Sequence, residues 1–130
     1  MFEKLSIFAK ANNLALHAAA RQSVIAQNAA NADTPGYRAR DLPAFSETYK
    51  PHQVDQMRAT RGSHFGGESM SAERAGAEPV YRPGAISPNG NSVSLETEMM
   101  MAAEAKRDHD MALAVYKSTL GIVRSSLGRR

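Results

Sequence analysis

Proline and glycine are concentrated in the middle of this chain. All six prolines and seven of the nine glycines lie between residues 34 and 94 of the 130. Because proline cannot donate an intrahelical hydrogen bond and glycine weakens a helix, only the two flanking stretches can form long helices. The distribution predicts a mainly α fold. In it, two long terminal helices form a coiled coil, and a long irregular excursion with short strands lies between them. The predicted units are residues 1–33, 34–94 and 95–130.

The first flank carries a helical stripe of small and apolar residues. The stripe follows alternating steps of three and four residues and includes Phe8, Ala15 and Ile25. This spacing is that of one face of an α-helix. Because the stripe is mostly alanine, it indicates that a partner helix approaches closely.

The last flank has its own start signal and its own seam. Ser94 is placed as an N-cap, and the acids Glu96 and Glu98 follow in the first turn, where the helix dipole favours them. Glu96, Glu98 and Glu104 are interpreted as a solvated helix face. An unbroken heptad seam closes the chain, and we expect it to pair with the N-terminal helix and with neighbouring subunits. The seam consists of Leu113, Tyr116, Leu120, Val123 and Leu127.

Several functional classes are disfavoured by composition and by missing motifs. The chain has no cysteine, and its four histidines lack the i, i+4 spacing of a metal-binding helix. No P-loop, dinucleotide-binding or Gly-x-Ser-x-Gly motif is present. We therefore expect no enzyme activity, no cofactor and no metal. No apolar run has the length of a Sec signal peptide or of a membrane span, so neither is expected.

A turn is predicted at the end of the first helix. Asn31 and Asp33 can hydrogen-bond nearby backbone and compete with the helix. Pro35 biases Thr34 away from the α region, and Gly36 supplies a positive φ. The simplest interpretation of these residues is an ordinary helix stop.

The longer string around this turn resembles the signature of the bacterial flagellar basal-body rod protein family, and within it the proximal rod protein B group. The matching residues are Asn28, Asn31, Asp33, Thr34, Pro35, Gly36, Tyr37, Arg40 and Asp41. Two later elements are also similar to the family: Thr60-x-x-x-His64-Phe65 and Asn89-Gly90-Asn91-x-Val93. Asn89 and Ser94 depart mildly from the acids usual at their positions.

The resemblance implies a structural subunit of the proximal rod, the drive shaft of the flagellum. Such subunits assemble into a helical tube next to the export gate and the MS ring, in the periplasm. The implied partners are other copies of the chain, other proximal rod proteins, the rod–MS-ring junction protein and the flagellar export gate. The implied route is flagellar type III export without a Sec signal. No nucleic acid is implied.

A third element concerns export. Phe45 and Tyr49 resemble the Phe-x-x-x-hydrophobic element that the export gate recognises in rod and hook subunits, although an aliphatic residue is more usual at the position of Tyr49. The alternative is that both rings only pack beneath the excursion.

The composition also permits a different class of function. Eleven arginines, a net charge of +3 and a pI of about 9.4 permit a small basic helical protein that binds nucleic acid or a membrane surface. The charge is spread evenly, and few aromatic residues lie near the basic ones, which disfavours this alternative.

Overall fold

The structure is a computed structural model that describes residues 2–49 and 77–128. The order of elements is α1 (Phe2–Ala30), β1 (Arg40–Asp41), α2 (Phe45–Thr48), β2 (Val80–Tyr81) and α3 (Leu95–Ser126). The two long helices pack together and the strands lie between them in sequence, which confirms the predicted fold class. The predicted element at Thr60 and His64 lies outside the described residues, as do residues 50–76 of the excursion and the last two arginines.

The face between α1 and α3 is lined by small residues. Ala11 and Ala18 of α1 are buried, as are Ala105 and Ala112 of α3. Within each helix these residues are seven apart, so they lie on one face. Side chains of this size allow two helix backbones to approach closely, as the alanine stripe of α1 predicted.

Within a single chain, the predicted seam on α3 does not coincide with the most buried residues of that helix. The buried residues are Ala112 and Thr119, each one residue before a seam position, and Leu113 and Leu127 are exposed. The prediction followed the largest apolar residues, whereas a close helix contact selects the smallest. The remaining seam residues lie on both helices and differ in burial, and Tyr116 is itself exposed. Leu120, Val123 and Ala15 are half-buried, Ile25 is buried, and Tyr116 makes a T-shaped ring contact with Phe8 at 5.1 Å.

Local signals fix the ends of α3. The Oγ atom of Ser94 accepts a hydrogen bond from the amide of Thr97 at 3.5 Å, which confirms the predicted N-cap. After the last turn, Gly128 has a φ of 87°, a left-handed value that ends helices readily in glycine.

A short antiparallel sheet lies beside the start of α3. Arg40 of β1 pairs with Tyr81 of β2, and Asp41 pairs with Val80. This pairing buries Ala39, whose carbonyl accepts from the amide of Arg82 at 2.9 Å. Among the described residues, no helix is apolar enough over a sufficient length to cross a membrane.

Candidate assembly site

Two glycine turns meet where α1 ends. Thr34 O accepts from the amide of Tyr37 at 3.3 Å, with Pro35 and Gly36 at the corners and a φ of 73° at Gly36. This is the positive φ that the sequence predicted, and it suits a type II turn. Gly90, also at positive φ, lies so close that a Cβ atom there would stand 3.3 Å from the Cα of Gly36. A side chain at either glycine would therefore meet backbone strain, and one at Gly90 would also crowd the other turn.

The side chain of Asn91 forms hydrogen bonds to the backbone just after the C-terminus of α1. Its Nδ2 atom lies 3.0, 2.7 and 2.8 Å from the carbonyl oxygens of Asn31, Ala32 and Thr34. Its Oδ1 atom accepts from the amide of Val93 at 2.7 Å. Asn91 is 2% exposed, whereas the residues whose carbonyls it binds are partly or fully exposed. These hydrogen bonds hold the turn that follows α1, where the carbonyls of Asn31 and Thr34 also accept from backbone amides.

Asn28 is a second buried amide that bonds to several parts of the chain. Its Oδ1 atom accepts from the amide of Arg40 at 3.1 Å and from the hydroxyl of Tyr37 at 3.3 Å. Its Nδ2 atom donates to the carbonyl of Arg40 at 2.7 Å and to Oε2 of Glu98 at 3.1 Å. One fully buried amide therefore connects α1, β1 and α3.

Glu98 corrects the sequence interpretation of α3 as a helix with solvated acids. It is 2% exposed and forms an ion pair with Arg82, whose own side chain is largely buried. A carboxylate is tolerated in such a place because a guanidinium and an amide both donate to it. The signal was missed because Asn28 lies 70 residues away in sequence, and no local pattern connects the two.

A second ion pair holds β1 against α1. The Nε and Nη2 atoms of Arg21 donate to the two carboxylate oxygens of Asp41, each at 3.0 Å. Donation of these hydrogen bonds to Asp41 raises the pKa of Arg21 above its already high ordinary value, so the guanidinium stays charged. Asp41 also accepts from the amide of Leu42 at 2.8 Å. The sequence singled out Asp41 and missed its partner.

The rest of the turn motif is closer to the surface. Asn31 donates to the carbonyl of Gln27 at 2.8 Å and accepts from the hydroxyl of Thr34 at 3.3 Å. Asp33 and Pro35 are exposed. The motif is therefore divided into an inner set that joins the elements and an outer set that faces solvent.

The predicted export residues lie on α2 and just after it. The ring of Phe45 packs edge-on against His17 with centroids 5.6 Å apart, and the ring of Tyr49 follows at 5.2 Å. His17 shares a hydrogen bond with the carbonyl of Pro43 at 2.9 Å, which holds the segment on α1. Both rings are half-buried, an arrangement that the packing alternative also predicts.

The hydrogen bonds and ion pairs of this site hold α1, β1 and α3 together. The residues of the turn motif donate and accept hydrogen bonds among three parts of the chain. Within residues 2–49 and 77–128, no group of three or more His, Cys, Asp or Glu is placed to hold a metal ion.

Comparisons with known proteins agree with the resemblance. A family model described as "Flagella basal body rod protein" matches residues 17–38, which contain α1's second half and the turn. The chain is 34% identical over 129 residues to the flagellar basal body rod protein FlgB of Escherichia coli (strain K12), covering 92% of each chain. It is 32% identical over 118 residues to FlgB of Agrobacterium fabrum, covering 89% of this chain and 88% of that protein. FlgB of Salmonella typhimurium is 33% identical over 78% of each chain.

These relatives extend over both long helices and the segment between them. The alternative function, binding of nucleic acid or of a membrane surface, is not supported by any of them. The chain belongs to the flagellar basal body rod protein family, and its relatives along most of its length are FlgB proteins.

Proposed function

We propose that this chain is a non-enzymatic structural subunit of the proximal rod, assembling into a helical tube next to the export gate and the MS ring. Membership of the rod protein family supports the general role. The observation that carries the assembly step is a set of exposed apolar side chains on the outer faces of the paired helices. Its largest members are Leu16, Met99, Met100, Met111, Ile122 and Leu127, with exposed fractions of 62, 73, 70, 50, 54 and 77%.

Two paired helices cannot bury these side chains by themselves. Each helix contacts its partner along one narrow, alanine-rich face, so the outer faces remain in water in a single chain. Large apolar side chains left exposed in such number are typical of an interface between proteins. Because the outer faces of α1 and α3 differ from each other, contacts between copies are heterologous and can continue as a helix.

In this proposal the predicted units have separate roles. Residues 1–33 and 95–130 form the inner helical layer, and residues 34–94 project from it. The turn motif sets the direction in which the chain leaves α1. Leu113, Leu120 and Leu127 of the seam contact neighbouring subunits. The partners are other copies, other proximal rod proteins and the rod–MS-ring junction protein.

We place this rod segment in the periplasm, reached by flagellar type III export. In this role Phe45 and Tyr49 are read by the export gate before the chain folds. Their packing on His17 in the folded chain is compatible with such a sequence of events, because recognition precedes folding.

The test is a charge placed on the outer face of α3. Ile122→Asp leaves the alanine-lined contact with α1 untouched, and we expect normal secretion but no incorporation into isolated basal bodies. Lys117→Asp is the matched control, because it puts the same side chain at an exposed polar position of the same helix. Full motility of the Ile122→Asp strain would refute the proposed packing of this face.

A further inference from the structure

A basic recess lies beside β2. It has a volume of about 260 Å³, and Arg38, Tyr81 and Ile86 are among its lining residues. Tyr81 and Ile86 are 65 and 58% exposed. The guanidinium of Arg40 stands 5.9 Å from the ring centroid of Tyr81. The surface therefore combines two arginines with apolar walls.

The charge of this recess is uncompensated in the described part of the chain. Arg38 is exposed and forms no ion pair with any residue in the ranges 2–49 and 77–128. The third arginine in the lining, Arg82, is already paired with Glu98. Glu78, the acid nearest to β2 in sequence, makes no ion pair within those ranges either. A ligand for the recess should therefore bring a carboxylate together with an apolar side chain.

The start of α3 has that chemistry. Leu95, Met99 and Met100 are 54, 73 and 70% exposed there. Glu96 lies among them, exposed, and has no ion-pair partner in the described ranges. Methionine is long and unbranched and adapts to irregular recesses, so it can enter an open one without a preformed fit.

We propose that the start of α3 of one copy binds the basic recess of the next copy, with Glu96 against Arg38 and a methionine of the Met99–Met100 pair in the recess. The inference rests on the proposed function and specifies one of its subunit contacts. Charge complementarity and apolar matching on the same chain identify a second copy as the partner. The two surfaces are different, so the contact is heterologous and leaves a free surface at each end of a row.

The absence of cysteine makes a cross-linking test direct. Two full-length variants, Arg38→Cys and Glu96→Cys, are produced together in motile cells, and basal bodies are treated with a short bismaleimide. We expect a cross-linked dimer only when both variants are present. A dimer from Arg38→Cys alone would indicate a symmetric contact and would overturn the inference. Incorporation of both variants into basal bodies without a cross-linked dimer would also overturn it. If the wild-type chain were absent from basal bodies, the proposed function itself would be refuted.

Charge reversal provides an independent measurement. Arg38→Glu and Glu96→Lys should each reduce the number of chains per basal body, and the double variant should restore it, because the pair is re-formed with opposite signs. Lys117→Glu is the matched control on an exposed site. If the double variant is no better than the worse single variant, the partner of Arg38 is not Glu96 and the inference is wrong.

Discussion

Asn91 offers a sharp test of the site because its two side-chain atoms have opposite roles. Its Nδ2 atom donates towards three carbonyls at the end of α1, and its Oδ1 atom accepts from the amide of Val93. Removing a buried hydrogen-bond partner costs roughly 1–3 kcal/mol for each group left unsatisfied. All three carbonyls belong to partly or fully exposed residues that water can reach, so the amide of Val93 is the main group left unsatisfied. We expect Asn91→Ala to lower the local free energy of opening by about 2 kcal/mol.

Asn91→Asp, the more conservative change in shape, should be worse than Asn91→Ala at neutral pH. It keeps the acceptor for Val93 but aims a carboxylate oxygen at the three carbonyls. The folded state disfavours that charge, so the pKa of the new acid would be raised above its unfolded value of about 3.9. An acid whose pKa is higher in the folded than in the unfolded state destabilises the folded state when it is ionised, which is at high pH. The deficit of the Asn91→Asp variant should therefore shrink as the pH falls through the raised folded-state pKa, and the part caused by the charge should be gone below about pH 4.

The assay is amide hydrogen exchange in the purified chain, followed at Val93 and at Ser92. The amide of Ser92 donates to the carbonyl of Tyr37 at 3.0 Å, so both amides report on this corner of the molecule without requiring cooperative unfolding of the whole chain. Exchange in Asn91→Asp that is slower than in Asn91→Ala at pH 7 would refute the assignment of the amide orientation.

Two further predictions concern other parts of the same region. Gly36→Val should block rod assembly, because a β-branched residue at a φ of 73° is strained by about 1–3 kcal/mol. The control is Gly121→Ala, in α3. Rods in normal numbers in the Gly36→Val strain would show that the turn tolerates the change. Phe45→Ala should leave the chain in the cytoplasm if the export gate reads this residue; unchanged secretion, measured by immunoblotting of cell fractions, would favour packing on His17 as its only role.

The helices could be predicted from the sequence because their signals are local. The concentration of proline and glycine in the middle predicted the end of α1 and the start of α3 to within a few residues. Ser94 capped α3 as expected, and Gly36 had the expected sign of φ. Each of these features depends on one residue and its immediate neighbours, so a single sequence contains the information.

The contacts across the chain could not be predicted in the same way. The heptad on α3 was placed through Leu113 because large apolar residues usually mark a core, but Ala112 is the residue that meets α1. Glu98 was assigned to solvent because an acid in the first turn of a helix is usually exposed. Its burial depends on Asn28 and Arg82, and their proximity is a property of the folded chain alone.

The buried polar group at this corner has a physical role that the alanine contact cannot perform. In an interface where small residues recur every seven positions, sliding one helix by a heptad replaces Ala105 with Ala112 opposite the same neighbour and changes the packing little. Asn28 and Glu98 can meet in one alignment only, since any slip of α3 separates the carboxylate of Glu98 from the amide of Asn28 and from the guanidinium of Arg82. A single polar pair fixes alignment in some coiled coils in this way, at the expense of stability. The fixed alignment would matter for a rod subunit, because the outer faces of both helices must reach each neighbour in the same register.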